Sequence, residues 1–330
     1  MEKRVLVIGD LMLDRHTMGR VSRISPEAPV PVIKTDLEDR TSLGAAANVA
    51  AQIAEAGYET TLAHKHFWIG ETDPRETKGW FDPVNVYDKQ CYDKILAAGI
   101  NPFPLFLTGV DGPVSIKERI WTGQQQICRV DYEDTRKPCQ ATEALWIRQL
   151  KELIEEKEFD CIVFSDYDKG TLTDRIIQAV TDACDETCVT ILDPKRYSYW
   201  GLQGLTVIKP NKNEVDITHR SVQELSEELG KTFLLNTLSE DGMKLWVDGH
   251  HIHSERVYVE PKDVEDVCGC GDTTTAFLAI AFLRGLRIEQ GMKAASFAAA
   301  ENIKHRGCYV IDENGVDCMF SPTYQELYGE

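Results

Sequence analysis

The chain is short of positive charge. Lysine and arginine together number 36 against 54 aspartates and glutamates, a net charge of −18 at neutral pH. A surface that acidic repels polyanions, so neither nucleic acid nor an anionic membrane is expected as a partner. Long apolar runs are also missing, and no stretch is long enough to span a bilayer. Met1-Glu2-Lys3-Arg4 leads straight into a strand with no signal peptide, so a cytoplasmic protein is expected. No internal repeat, low-complexity tract or linker divides the sequence, and residues 1–330 are expected to form one domain. The ten cysteines are scattered, not packed at the density of a disulfide scaffold, which fits a reducing compartment. Cys184 and Cys188 share a helical spacing, Cys268 and Cys270 are close, and His250, His251 and His253 sit on what reads as an exposed hairpin. A zinc site wants a second close pair with histidines nearby, so structural roles are expected for all of these.

What is present is a strand–helix rhythm. Residues 4–9 are a continuous apolar run ending in Gly9-Asp10, the pattern of a parallel strand buried on both faces. Residues 17–35 alternate and carry Pro26, Pro29 and Pro31, which predicts edge strands outside the main sheet. Gly44 to Gly57 reads as an alanine-rich helix and 60–63 as a strand. Residues 66–113 are the least legible, with Trp68, Pro74, Trp80, Pro83, Pro102 and Pro104 and one helix expected over 86–98. A hairpin is expected from 114–121 and 125–131 around Thr122-Gly123. Helices over 141–157 and 173–184 then alternate with strands at 161–164, 189–192 and 205–208, and two further strands cover 231–236 and 243–247. Such alternation predicts a mainly parallel sheet with helices on both faces and a ligand beyond the strand C-termini. Asp10, Asp166, Asp193 and Asn211 all fall just past strand ends, where each alone would pass for a turn or cap residue.

Near the C-terminus, Asp266-Val-Cys-Gly-Cys-Gly-Asp272 opens an apolar helix predicted over 272–284, followed by another over 289–305. Glycines at a helix N-terminus let unpaired N–H groups approach an anion closely. Asp272 is either a cap or a base that takes a proton from a hydroxyl attacking a phosphate.

With these pieces in order, the chain resembles the ribokinase-like (PfkB) sugar kinases along nearly its full length. The resemblance rests on Gly9-Asp10-Leu-Met-Leu-Asp14, Gly44-Ala45-Ala46-Ala47-Asn48, Asn211-Lys-Asn-Glu214 and the 266–272 turn. Within that family, Ser22-Arg23-Ile24-Ser25-Pro26-Glu27-Ala28-Pro29-Val30-Pro31 is similar to the lid of the heptose 7-phosphate kinases. Gln124-Gln125-Gln126, Arg129, Asp131, Ser165-Asp166-Tyr167, Lys169-Gly170 and Asp193-Pro194-Lys195 are similar to the same group.

The resemblance implies a three-layer α/β/α fold with a small β lid from about 17–35 and 114–131, and an ATP-dependent, Mg²⁺-requiring kinase. The acceptor it implies is the anomeric hydroxyl of a heptose 7-phosphate; another sugar, or a catalytically silent ligand-binding relative, is the alternative. Asp272 is the implied base, with the N–H groups of Gly269, Cys270, Gly271 and Asp272 as an anion hole. Asp14, Asn48 and Gly44 are implied at the sugar, and Lys117, Arg119, Arg129 and Lys169 are the candidates for its phosphate, with Arg23 in the lid as a further one. Asn211 and Glu214 are implied at Mg²⁺ through water, and Lys195, Thr237, Ser239, Gly242 and Asp266 at the nucleotide. Family lids often carry the dimer contact, so a homodimer through 17–35 and part of 114–131 is expected. The chain departs from the family pattern at Ala45 and Ser239, where glycine is usual, and at Cys268 and Cys270, where threonine and alanine are.

Overall fold

The computed structural model describes residues 3–35, 40–65, 83–105, 113–259 and 261–328. Among the described residues, fourteen strands form two sheets. The larger has nine strands, in the order β14-β13-β12-β11-β10-β9-β1-β5-β6. These are β1 (Arg4–Gly9), β5 (Glu59–Lys65), β6 (Asn101–Leu105), β9 (Cys161–Ser165), β10 (Val189–Asp193), β11 (Val207–Ile208), β12 (Phe233–Thr237), β13 (Met243–Val247) and β14 (His250–Glu255). Every neighbouring pair from β6 to β12 is parallel, and β13 and β14 close one edge as antiparallel strands.

Side chains alternate across a strand, so β1 feeds two cores. Val5 and Val7 pack into one with helices α1 (Ala46–Glu55), α2 (Pro83–Ala97), α7 (Cys270–Leu283), α8 (Ile288–Asn302) and α9 (Glu313–Phe320). Leu6 and Ile8 pack into the other with α3 (Gln140–Lys157), α4 (Asp174–Thr181), α5 (Lys212–Asp216) and α6 (Val222–Leu229). A short α10 (Pro322–Tyr328) follows α9. Helix α7 is buried around nearly its whole circumference, as a run without a polar stripe requires.

The smaller sheet has five strands: β2 (Leu11–Ile24), β3 (Pro31–Thr35), β4 (Thr41–Ala45), β7 (Ser115–Thr122) and β8 (Gln125–Tyr132). It is larger than the lid expected over 17–35 and 114–131, because β2 starts at Leu11, with only Asp10 between it and β1. Residues 41–45 pair with Leu11–Arg15, so Gly44 and Ala45, expected to open the helix, belong to a strand instead. Asp14, His16, Lys117, Arg119 and Arg129 share one face, with Asp14 opposite Lys117, His16 opposite Arg119 and Arg119 opposite Arg129. Trp68, Pro74 and Trp80 of the poorly legible stretch lie outside the described residues. Its expected helix is α2, and Pro102 and Pro104 fall in β6.

Candidate active site

Asp272 occupies the first turn of α7, in the middle of the molecule, and only 2% of it is exposed. Its Oδ1 accepts a 2.6 Å hydrogen bond from the Tyr167 hydroxyl and its Oδ2 a 3.1 Å bond from Asn48 Nδ2. Burial pushes its carboxyl up to about 7; Asp193 and Asp14 push the same way, and the two hydrogen bonds pull back. Asn48 is fully buried on α1, so it is no surface residue, and its Oδ1 has no hydrogen-bond partner among the described residues.

The turn before α7 is shaped by Gly269, which has φ +77°. A side chain there would meet Asn48 Nδ2 at 2.8 Å, so only glycine lets the turn lie against α1. The bond from Thr273 N–H to Gly269 O, 2.8 Å, opens the helix, which leaves the N–H groups of Gly271 and Asp272 outside the ladder. Beside Gly271 there is open space: a Cβ there would find Lys209 Nζ as its nearest neighbour, at 3.9 Å. Lys209 is buried and paired with Asp193 Oδ2 at 3.0 Å. A backbone turn with free donors, a buried lysine and a carboxyl of raised pKa therefore converge on one space.

On the lid side, Asp14 is buried and ion-paired with Arg119. Gly44 is required by that carboxylate, since a Cβ at 44 would sit 2.1 Å from Asp14 Oδ2. Of the cations expected at a substrate phosphate, Arg119 is bound to Asp14, Arg129 grips Asp131 with two bonds of 2.8 and 2.9 Å, and Lys169 holds Glu133 at 2.6 Å. Lys117 lies over the Tyr167 ring, 5.0 Å from its centroid. Arg23 is exposed on the outer reach of β2.

On the other side, Asn211 caps α5 and forms a reciprocal box with Glu214: each side chain bonds the other's N–H, at 3.0 and 2.8 Å. Lys195 Nζ reaches Glu214 Oε1 at 3.3 Å. Burial and the nearby Asp193 raise the Glu214 carboxyl. A cavity of about 370 Å³ opens here, lined by Lys137, Asp168, Lys195, Arg196, Ser198 and Glu214. Thr237 at the end of β12 bridges to Asn211, which brings the Thr237–Gly242 loop beside this group. Asp266 is turned away from it and binds the backbone, accepting from Cys268 N and Gly307 N, both at 3.0 Å.

Two residues at this centre carried no assigned role in the sequence. Tyr167 and Lys209 follow strand ends, but nothing local says that they turn toward Asp272 and Asp193. Asp10, read as a strand-end acid, accepts from the N–H groups of Tyr167, Lys169 and Thr171 at 2.9–3.0 Å and so shapes the loop that delivers Tyr167.

Residues 138–314 match the family described as pfkB family carbohydrate kinase. The chain belongs to this family. Among its relatives, a D-beta-D-heptose 7-phosphate kinase of Bordetella bronchiseptica is 33% identical over 319 residues, 93% of either chain. The bifunctional protein HldE of Azorhizobium caulinodans is 35% identical over 93% of this chain, which spans 62% of that longer protein. Phosphofructokinase-2 from Escherichia coli superposes with a TM-score of 0.72 at 13% identity, covering 99% of this chain and 100% of that one. Ribokinase from Arabidopsis thaliana gives 0.64 at 16%, covering 97% and 99%. The chain is thus a sugar kinase with the ribokinase-like fold. The two positions where this PfkB kinase replaces the usual glycine both have positive φ, +54° at Ala45 and +53° at Ser239. Both keep a backbone that suits glycine and carry a side chain on it.

Proposed function

We propose that this kinase transfers the γ-phosphoryl group of ATP to the anomeric hydroxyl of a heptose 7-phosphate, giving a 1,7-bisphosphate and ADP. The observation that carries the chemistry is Asp272, a buried carboxyl held near neutrality at the mouth of a helix with free N–H groups. A base with a pKa near the working pH takes a hydroxyl proton efficiently. As the sugar oxygen bonds to phosphorus, its proton passes to Asp272 and the bond to the ADP oxygen breaks. Negative charge on the transferring group is met by the N–H groups of Gly271 and Asp272, with Gly269 and Cys270 completing the turn, and by Lys209. Asp14, Asn48 and the close-packed Gly44 hold the sugar hydroxyls. Thr237, Ser239 and Gly242 border the nucleotide, and Lys195 stands on its phosphate side.

The neighbouring carboxylates of Glu214 and Asp193 suit Mg²⁺, because burial and Asp193 raise the Glu214 carboxyl and a hard cation with oxygen ligands would relieve that. Asn211 and Glu214 would hold it through water, and it supplies charge neutralisation on the phosphates.

The heptose assignment is supported by the heptose 7-phosphate kinase named above, which matches 93% of this chain. A second reading, a sugar without that phosphate, is favoured by the pairing of Arg119, Arg129 and Lys169 with carboxylates, which leaves Lys117 as the readiest cation. ADP release measured over a panel of phosphorylated and free sugars separates the two. Highest kcat/KM on a heptose 7-phosphate is expected, and no turnover with any sugar despite ATP binding overturns the kinase reading. Asp272→Asn should lower kcat at least about 100-fold with ATP affinity unchanged; retained activity refutes the base.

The lid also supports a homodimer. Val21, Ile24 and Val30 leave 39–61% of their surface exposed at its outer end. Apolar side chains grouped on a small sheet suit a second copy of the same lid.

A further inference from the structure

We propose that Asp14, His16, Cys268 and Cys308 form a binding site for a thiophilic divalent cation of the Zn²⁺ class, at the junction of the lid and the 266–272 turn. The four residues come from three separate parts of the chain. Asp14 and His16 alternate on β2 and so share a face. Cys268 precedes α7, and Cys308 follows α8. The ligand atoms of Asp14, Cys268 and Cys308 lie within 4.8 Å of one another, as do those of His16, Asp266 and Cys268, so Cys268 links the two groups.

The distances exclude a disulfide and match those across a shared cation. Cys268 Sγ and Cys308 Sγ are 3.7 Å apart. A disulfide needs about 2.05 Å. Two sulfurs each about 2.3 Å from one tetrahedral zinc stand about 3.8 Å apart. Cys308 Sγ lies 3.4 Å from Asp14 Oδ2; a sulfur and a carboxylate oxygen on the same zinc stand about 3.5 Å apart. Arg119 occupies the other oxygen of Asp14, leaving Oδ2 on the cysteine side. An independent observation comes from His16. It is only 6% exposed, and neither ring nitrogen has a hydrogen-bond partner among the described residues. Buried polar groups are normally satisfied, and an unpartnered imidazole beside the Cys268 thiol and the Asp266 carboxylate adds a nitrogen donor next to the two-thiol, one-carboxylate group, which together make the donors of a zinc ligand set.

The frame around these groups is fixed. Asp266 accepts from Cys268 N and from Gly307 N, so one carboxylate ties together the two cysteine-bearing segments. It is a positioning residue of the kind that orients ligands from behind. Gly307 lets its segment lie close, since a Cβ there would be 3.3 Å from His16 Nε2. On binding, the thiols give up their protons to solvent and the cation takes the sulfurs.

Occupancy would also take Asp14 Oδ2 away from the acceptor sugar, so zinc should compete with it; this consequence rests on the proposed sugar role of Asp14. The site itself is tested without substrate. Reduced, chelator-treated full-length protein titrated with Co²⁺ should bind one equivalent with a thiolate-to-cobalt charge-transfer band, displaced by one equivalent of Zn²⁺. Cys268→Ser/Cys308→Ser should lose the band and weaken Zn²⁺ binding by more than the about 10–100-fold that outer ligands command. Cys184→Ser/Cys188→Ser should keep both. No band, or one that survives the first variant or vanishes in the second, overturns the proposal. A matching thermal melt of the chelated proteins shows that the loss is not unfolding. In turnover assays Zn²⁺ should raise the KM for sugar and not that for ATP; bound zinc without that rise overturns the competition alone. The titration uses no sugar or nucleotide, so its outcome stands apart from the kinase assignment.

Discussion

At the scale of single residues, Asp272 sets the pH behaviour. The proposed base works only when ionised, so kcat/KM should rise with pH through about 7. Tyr167 donates to the ionised carboxylate and holds its pKa down, so Tyr167→Phe should move this acidic limb to higher pH; an unmoved limb would assign it to another group. Stability runs the other way. A carboxyl whose pKa is raised on folding stabilises the fold fully below its unfolded pKa, about 4, and that contribution is lost as pH rises through the folded value. Asp272→Asn should therefore raise the melting temperature over the parent more at pH 8 than at pH 5. Asn48, whose Oδ1 is free, can turn its amide to accept from the new side chain. Ala45 holds φ +54° and ψ −134°, a backbone that suits glycine and strains a residue with a side chain. Ala45→Gly should gain about 1 kcal/mol, seen as a melting shift of about 1–2 °C.

At the scale of elements, the junction of β4 and α1 is where packing is tightest against the sugar side. Gly44→Ala would drive a methyl into Asp14 and should cost about 1–3 kcal/mol of stability while raising the sugar KM more than the ATP KM, measured by denaturation and steady-state kinetics. The legible elements were those with one dominant period. β1, the β7–β8 hairpin, α3 and α7 follow their apolar patterns closely. β4 was hidden because its last residues merge into the alanines of α1. β6 was hidden by Pro102 and Pro104, which a strand tolerates here because β6 is the sheet's outer edge. Helix α6 carries a local signal of its own, the capping box of Ser221 and Glu224. The candidate site was legible where a motif is contiguous, as at 266–272 and 211–214. Tyr167, Lys209, His16 and Cys308 were not, because only the folded chain brings them to Asp272, Asp193 and Cys268.

At the scale of the whole molecule, the second sheet bears on assembly. Replacing Ile24, 61% exposed on the lid, by glutamate should leave the monomer folded and break the proposed dimer, lowering the mass found by analytical ultracentrifugation at micromolar concentration. A parent protein already monomeric there would refute the lid contact. The lid and the central sheet are in fact one polypeptide ribbon: β1 passes into β2 through Asp10 alone. Asp10 also anchors the N–H groups of Tyr167, Lys169 and Thr171. A hinge placed at that joint is geared to the loop beneath it. Each swing of the lid over a sugar would tug the segment bearing Tyr167, so closure and readiness of the base would be felt as a single mechanical event.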